Sequence, residues 1–178
     1  MRKVLFLGLL SLGAAVQAQQ PPADLAGWRG PKWGMTKAEV LATLTDAKVP
    51  DPEVPAAMHL KEPRTMLWIP KFDLPGGCFK VTLIFNDDHL EGIYLVQHRV
   101  GDAGVTEREA GSGDVAFSLL SEQLQAKYGP PTVRNASDMN YRLWAFPTTD
   151  IEMHLLSAQK LGSAVTLSYA PHKTNDKL

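Results

Sequence analysis

The sequence predicts an α+β fold: a tandem α-β-β-β repeat whose strands form one antiparallel sheet of about six, with two helices on one face. Three observations lead there. Each half opens with a capped, amphipathic helix. Each continues with three strand-like runs of period 2, separated by turn residues. The halves also share local residues in the same order: Leu67-Trp68 answers Leu143-Trp144, Val81 to Phe85 answers Ile151 to Leu155, and Leu90 answers Leu161.

The first element is a leader. Arg2 and Lys3 precede an apolar run from Val4 to Val16, and Val16-Gln17-Ala18 offers small residues at a cleavage point. This is the layout of a secretory signal, so residues 1–18 are expected to be removed and the protein to work in the periplasm or outside the cell. The run is too short for a mature spanning helix, which needs roughly 20 apolar residues, and no later run is longer. Gln17 to Pro22 carries no basic stop-transfer cluster, and no cysteine stands at the cleavage point for a lipid anchor. Cleavage leaves 160 of the 178 residues, enough for one well-cored domain. Loss of Arg2 and Lys3 moves the formal charge from −1 to −3, which is not the basic footprint of a nucleic-acid binder.

Residues 19–27 are polar and proline-rich and read as a flexible leader. The first repeat spans 28–100. Thr36 as N-cap with Glu39 three residues on makes a capping box, and Met35 with Val40 makes a hydrophobic staple. Val40, Leu41 and Leu44 then line one face of a helix over about 37–46, ended by Pro50, Pro52 and Pro55. Met66 to Ile69 is the first strand and Pro75-Gly76-Gly77 a turn. Phe79, Val81, Leu83 and Phe85 alternate with Lys80, Thr82, Ile84 and Asn86 as a half-buried strand. A tight turn over Asn86 to His89 returns the chain as a third strand, Leu90 to His98.

Residues 101–113 are Gly-rich and polar and read as a linker to the second repeat, 114–170. Phe117, Leu120, Leu124 and Tyr128 form one stripe of a helix over about 114–128, capped by Asp114 or Ser112 and stopped by Gly129-Pro130-Pro131. Strands are expected over 141–146, 150–156 and 163–169. The tail, 171–178, is polar and expected to fray.

A unit of one helix and three strands has a single apolar sheet face and closes a core poorly alone. Two units joined edge to edge lay both helices on one face and leave the other open. Glu152, His154, Thr166 and Ser168 fall on that open register, as do Ile84, Tyr94, Val96 and His98, so the first half adds an apolar patch. These are the candidate partner-binding residues, with Trp28 and Trp33. For the two tryptophans, packing under the first helix is the first reading and an aromatic anchor the second. Trp68 and Trp144 read as core.

The segment Trp33-Gly34-Met35-Thr36-Lys37-Ala38-Glu39-Val40, the strand meander, and Leu124-Gln-Ala-Lys-Tyr-Gly-Pro130 resemble small exported bacterial proteins of the β-lactamase-inhibitor-protein-like and outer-membrane-assembly small-lipoprotein (SmpA/OmlA) architecture. The resemblance implies a non-enzymatic protein that binds another protein through its sheet face or flanking loops. The chain departs from those families in lacking the lipobox cysteine and the inhibitor's disulfides.

Reactive constellations are sparse. Cys78 reads as a small buried hydrophobe, ahead of a nucleophile or an intermolecular disulfide. The five histidines, His59, His89, His98, His154 and His172, have no metal spacing. Asp87-Asp88 is turn chemistry, and Gly111-Ser112-Gly113 a linker with an N-cap. Asn135-Ala136-Ser137 fits a glycosylation sequon, a short pattern. No cofactor is expected. The sequence points to an exported binding or scaffold module for another envelope protein, with a small-molecule or lipid carrier and an enzyme with an unrecognised site as alternatives.

Overall fold

The computed structural model describes residues 24–50, 65–136, 139–158 and 162–172; the signal segment 1–18, the leader up to residue 23, Pro52, Pro55, His59, Ser137, Leu161 and the tail from residue 173 lie outside them. The elements are helix α1 (Lys37–Thr43), strands β1 (Thr65–Leu74), β2 (Gly77–Asn86) and β3 (His89–Gln97), helices α2 (Glu107–Ala110) and α3 (Gly113–Tyr128), and strands β4 (Thr132–Ala136), β5 (Met139–Ala145), β6 (Thr149–Ala158) and β7 (Gly162–Pro171). One antiparallel sheet takes all seven strands in the order β1-β2-β3-β7-β6-β5-β4. Six are those expected, and β4 is a short addition at the edge. The Pro130-Pro131 stop hides it, because a helix-ending signal says nothing of a strand two residues on.

The local chemistry explains the elements. Thr36 and Glu39 form the reciprocal capping box at α1. The turn between β2 and β3 places Asp87 and Asp88 at φ 48° and 62°, the left-handed pair that a two-residue hairpin demands. Gly129 closes α3 at φ 84°. β1 runs on past the expected Ile69, through Pro70, with a bulge between Ile69 and Phe72. An outer strand tolerates that proline because the missing N–H need not face a neighbour.

The ladders place a local two-fold between the halves. Ile93 faces Tyr169 and Leu95 faces Leu167 across the β3–β7 joint. On the inner hairpins Val81 faces Leu95 and Ile151 faces Tyr169, while Leu83 faces Ile93 and Met153 faces Leu167. With Val81 matched to Ile151, the joint pairs exchange onto each other. The same matching corrects the tryptophans. Ile69 faces Val81 and Trp144 faces Ile151, so Trp144 corresponds to Ile69 and Trp68 to Leu143. One residue of slip exchanges the faces of a strand. Trp144 is in the core, and Trp68 is half-buried on the opposite side. Leu90, facing Phe85, corresponds likewise to Val165, which faces Leu155.

The core lies between the helices and one face of the sheet. Val40 and Leu44 from the α1 segment, and Ala116, Phe117, Leu120 and Leu124 from α3, share a cluster with Leu67, Phe79, Val81, Leu83, Ile93, Leu95, Ile151, Met153, Val165 and Leu167. α3 packs over β6 and β7, and α2 sits by β2. The expected linker therefore carries a helix of its own, with a second capping box at Thr106 and Glu109. The leader also differs at its end: Asp24 accepts hydrogen bonds from the Thr148 amide (3.1 Å) and hydroxyl (2.9 Å), which fixes it to the β5–β6 turn. His172 is held there too, its amide donating to the Thr148 carbonyl at 3.0 Å.

Candidate binding face

Away from the helices, the register lays out two cross-strand rows. Trp68, Thr82, Tyr94, Ser168, Glu152 and Leu143 face one another in turn. Lys80, Val96, Thr166, His154 and Tyr141 form the next. Tyr94, Val96, Glu152, His154, Thr166 and Ser168 thus stand on one continuous surface across β3, β7 and β6. Tyr94 is the most open of these, 36% exposed; Val96, Glu152, His154, Thr166 and Ser168 are half-buried. The ring of His154 packs on Tyr141 at 4.8 Å between centroids, and its Nε2 lies 3.5 Å from the Glu152 carboxylate.

The surface is less apolar than expected over the first half. Ile84 and Thr82 are buried, so β2 is covered on both sides rather than half-buried. Their ladder neighbours explain part of this. Trp68 and Tyr94 flank Thr82, and the Tyr94 ring leans over Gly92, next to Ile84, close enough that a Cβ on Gly92 would lie 3.1 Å from it.

Three candidates do not belong to this surface. His98 is 92% buried, with Nε2 at 2.7 Å from the Pro70 carbonyl, because the β1 bulge brings that carbonyl over the end of β3. Trp28 is a core residue, edge-on to Phe72 at 5.6 Å and tilted on Tyr169 at 6.3 Å. Trp33 is half-buried and donates from Nε1 to Thr149 Oγ1 at 2.7 Å, while that hydroxyl donates to the Leu25 carbonyl. Both tryptophans thus seat the N-terminal segment on the second repeat rather than pointing outward. Burial keeps the Tyr169 phenol protonated beside Trp28.

No protein-family model and no curated protein matches the chain. Among solved structures, a DUF4309 family protein (YjgB) from Bacillus subtilis subsp. subtilis str. 168 is similar at 16% identity and TM-score 0.38, covering 77% of this chain and 78% of that chain.

Two further features bear on chemistry. Cys78 is 2% exposed, and burial pushes its thiol up from the usual range, so it is a poor nucleophile. Sequence reasoning missed Gln97, buried at the end of β3. Its amide donates to the Ala110 carbonyl at 2.9 Å and accepts from the Val165 amide at 3.0 Å. A lone polar residue continuing the Ile93, Leu95 core register was the available signal. Among the described residues, one hollow of about 300 Å³ is lined by Gln97, His98, Arg99, Ser112 and Ser163, and another of about 300 Å³ by Tyr128, Pro130, Leu143, Trp144, Phe146 and Pro147. Among the described residues no helix is long and apolar enough to cross a membrane.

Proposed function

We propose that the chain is an exported, non-enzymatic binding or scaffold protein that meets another envelope protein with the open side of its sheet. The leader supports export: a basic start, an apolar run and a small-residue end over residues 1–18. The observation that carries the binding role is the confinement of α1 and α3 to one face, which leaves Tyr94, Val96, Thr166, Ser168, Glu152 and His154 as a continuous mixed surface. A half-exposed aromatic among hydroxyls and one carboxylate is the composition of a protein-contact patch, where an apolar centre is ringed by polar groups. Replacing Tyr94 with Asp and Thr166 with Arg puts two charges in the middle of that patch. The expected outcome is a stably folded protein that no longer co-purifies the stoichiometric partner recovered with the native chain. Equal recovery by both proteins contradicts the reading.

A second reading, a small-molecule carrier, is favoured by the aromatic hollow of Tyr128, Trp144 and Phe146. A ligand there would co-purify and appear as added mass in native mass spectrometry. A clean protein mass removes it.

A further inference from the structure

The aromatic hollow lies where the sheet edge is left unfilled. The β4–β5 ladder ends at Thr132 opposite Leu143, and the chain before Thr132 turns back through Pro130-Pro131 to α3. Among the described residues, Trp144 and Ala145 therefore have β6 on one side and no strand on the other. The hollow, about 300 Å³, sits at this gap, lined by Tyr128 and Pro130 from the end of α3 and by Trp144, Ala145, Phe146 and Pro147 from the end of β5. Its walls are fixed in advance. The Trp144 indole donates to the Gly129 carbonyl at 2.9 Å, and the Tyr128 ring stands edge-on to Phe146 at 5.2 Å. None of these side chains is charged, so an apolar, uncharged occupant suits them.

The chain itself supplies such a segment. Asp24 is tied to the amide and hydroxyl of Thr148, and Thr148 directly follows Pro147 of the hollow's lining. The residues before Asp24 thus set out from beside the hollow. Removal of residues 1–18, put forward above, leaves five of them: Gln19, Gln20, Pro21, Pro22 and Ala23, none with a charged side chain. We propose that Pro21-Pro22 occupies the hollow, so that the mature N-terminus is a built-in ligand for Tyr128, Trp144 and Phe146; this rests on cleavage after Ala18. At about 3.1 Å per residue of polyproline II, the two prolines stand roughly 6–9 Å from Asp24, within reach of the lining. A proline pair is pre-set in that extended form and loses little entropy on docking, which is why aromatic-lined grooves take such segments. The tether adds an effective concentration of about millimolar, so the chain's own prolines are favoured over a proline-rich stretch of another protein. The carrier reading needs the same hollow free of the chain, so the two exclude each other.

The test uses the mature chain made directly from Gln19 onward, so its outcome does not depend on where the leader is cut; the intact mass of the exported protein checks the cut separately. Nuclear Overhauser contacts should join the ring protons of Pro21 or Pro22 to the rings of Tyr128, Trp144 or Phe146. Replacing both prolines, Pro21→Ser with Pro22→Ser, should move the Trp144 indole signal to its position in a chain beginning at Asp24. The peptide Gln-Gln-Pro-Pro-Ala should shift that signal in the shortened chain at a concentration about tenfold or more below the one the native chain needs. Absence of the proline contacts overturns the proposal. So does an equal response of the two chains to the peptide, which would leave the hollow to another protein, and so does a co-purified small molecule in the native hollow.

Discussion

Gln97 shows how much one side chain can hold. Its amide joins the α2 carbonyl of Ala110 to the β7 amide of Val165, so β3, β7 and α2 meet at a single buried residue. Gln97→Leu leaves both backbone groups without that partner, and a buried orphan costs about 1–3 kcal/mol. Urea unfolding should show a loss of about 2–4 kcal/mol, and a change under 0.5 kcal/mol on the same scale would deny the role. Cys78 makes a kinetic prediction at this scale. Its buried, protonated thiol should resist maleimide in the native protein and react on unfolding. Rapid native labelling would contradict the burial. Glu109 contributes to the acid limb, as Glu39 does through the equivalent bonds from Thr36. Hydrogen bonds from the Thr106 backbone and then its hydroxyl pull the Glu109 carboxyl down from 4.5 to about 2. A lowered folded value stabilises above the unfolded one and is lost as pH falls through the folded one. The stability difference between the native chain and Glu109→Ala should therefore be present at pH 6 and shrink between pH 4.5 and about 2.

At the scale of elements, one tight joint is where the β1–β2 turn meets the start of α3. Gly76 has φ +90°, and a Cβ there would lie 2.3 Å from Ala116 Cα. Gly76→Ala is strained in its backbone and blocked by a helix, so a drop in melting temperature of several degrees is expected, the size of about 1–2 kcal/mol. An unchanged melting temperature would mean the turn is not seated there. The same elements show what was legible in the sequence. The Thr36 capping box, the Phe79–Phe85 alternation and the Phe117–Tyr128 stripe are signals carried by neighbouring residues, and two helices and a strand stand where those signals put them. Thr106 and Glu109 carried the same capping signal, hidden within a Gly-rich stretch read as linker. Which face Trp68 takes was not local information. It depends on the hairpin register with β2, and matching Leu67-Trp68 to Leu143-Trp144 put it one residue out. The candidate surface was legible where alternation decides it, at Glu152, His154, Thr166 and Ser168. It was not legible at His98, whose burial depends on a bulge in another strand.

For the whole molecule, the two repeats meet through the β3–β7 ladder and a single core cluster that draws on both. Trp28, from the first repeat, packs on Tyr169 of the second, and Trp33 bonds Thr149. Neither half has a closed core, so unfolding should be one cooperative transition, with fluorescence and circular dichroism coinciding. Two separated transitions would mean that the repeats are independent. The layout also bears on the proposed role: with α1 and α3 packed on one side, the sheet has a helix-covered face and an open face, and the proposal assigns partner binding to the open one. A photoreactive side chain placed in living cells at Tyr94 or Thr166, against Gln123 on the solvent side of α3, tests this most directly. The account predicts one discrete adduct, with the same envelope protein, from the two sheet positions and none from Gln123. Adducts from Gln123 alone, or none at the sheet positions, would contradict it.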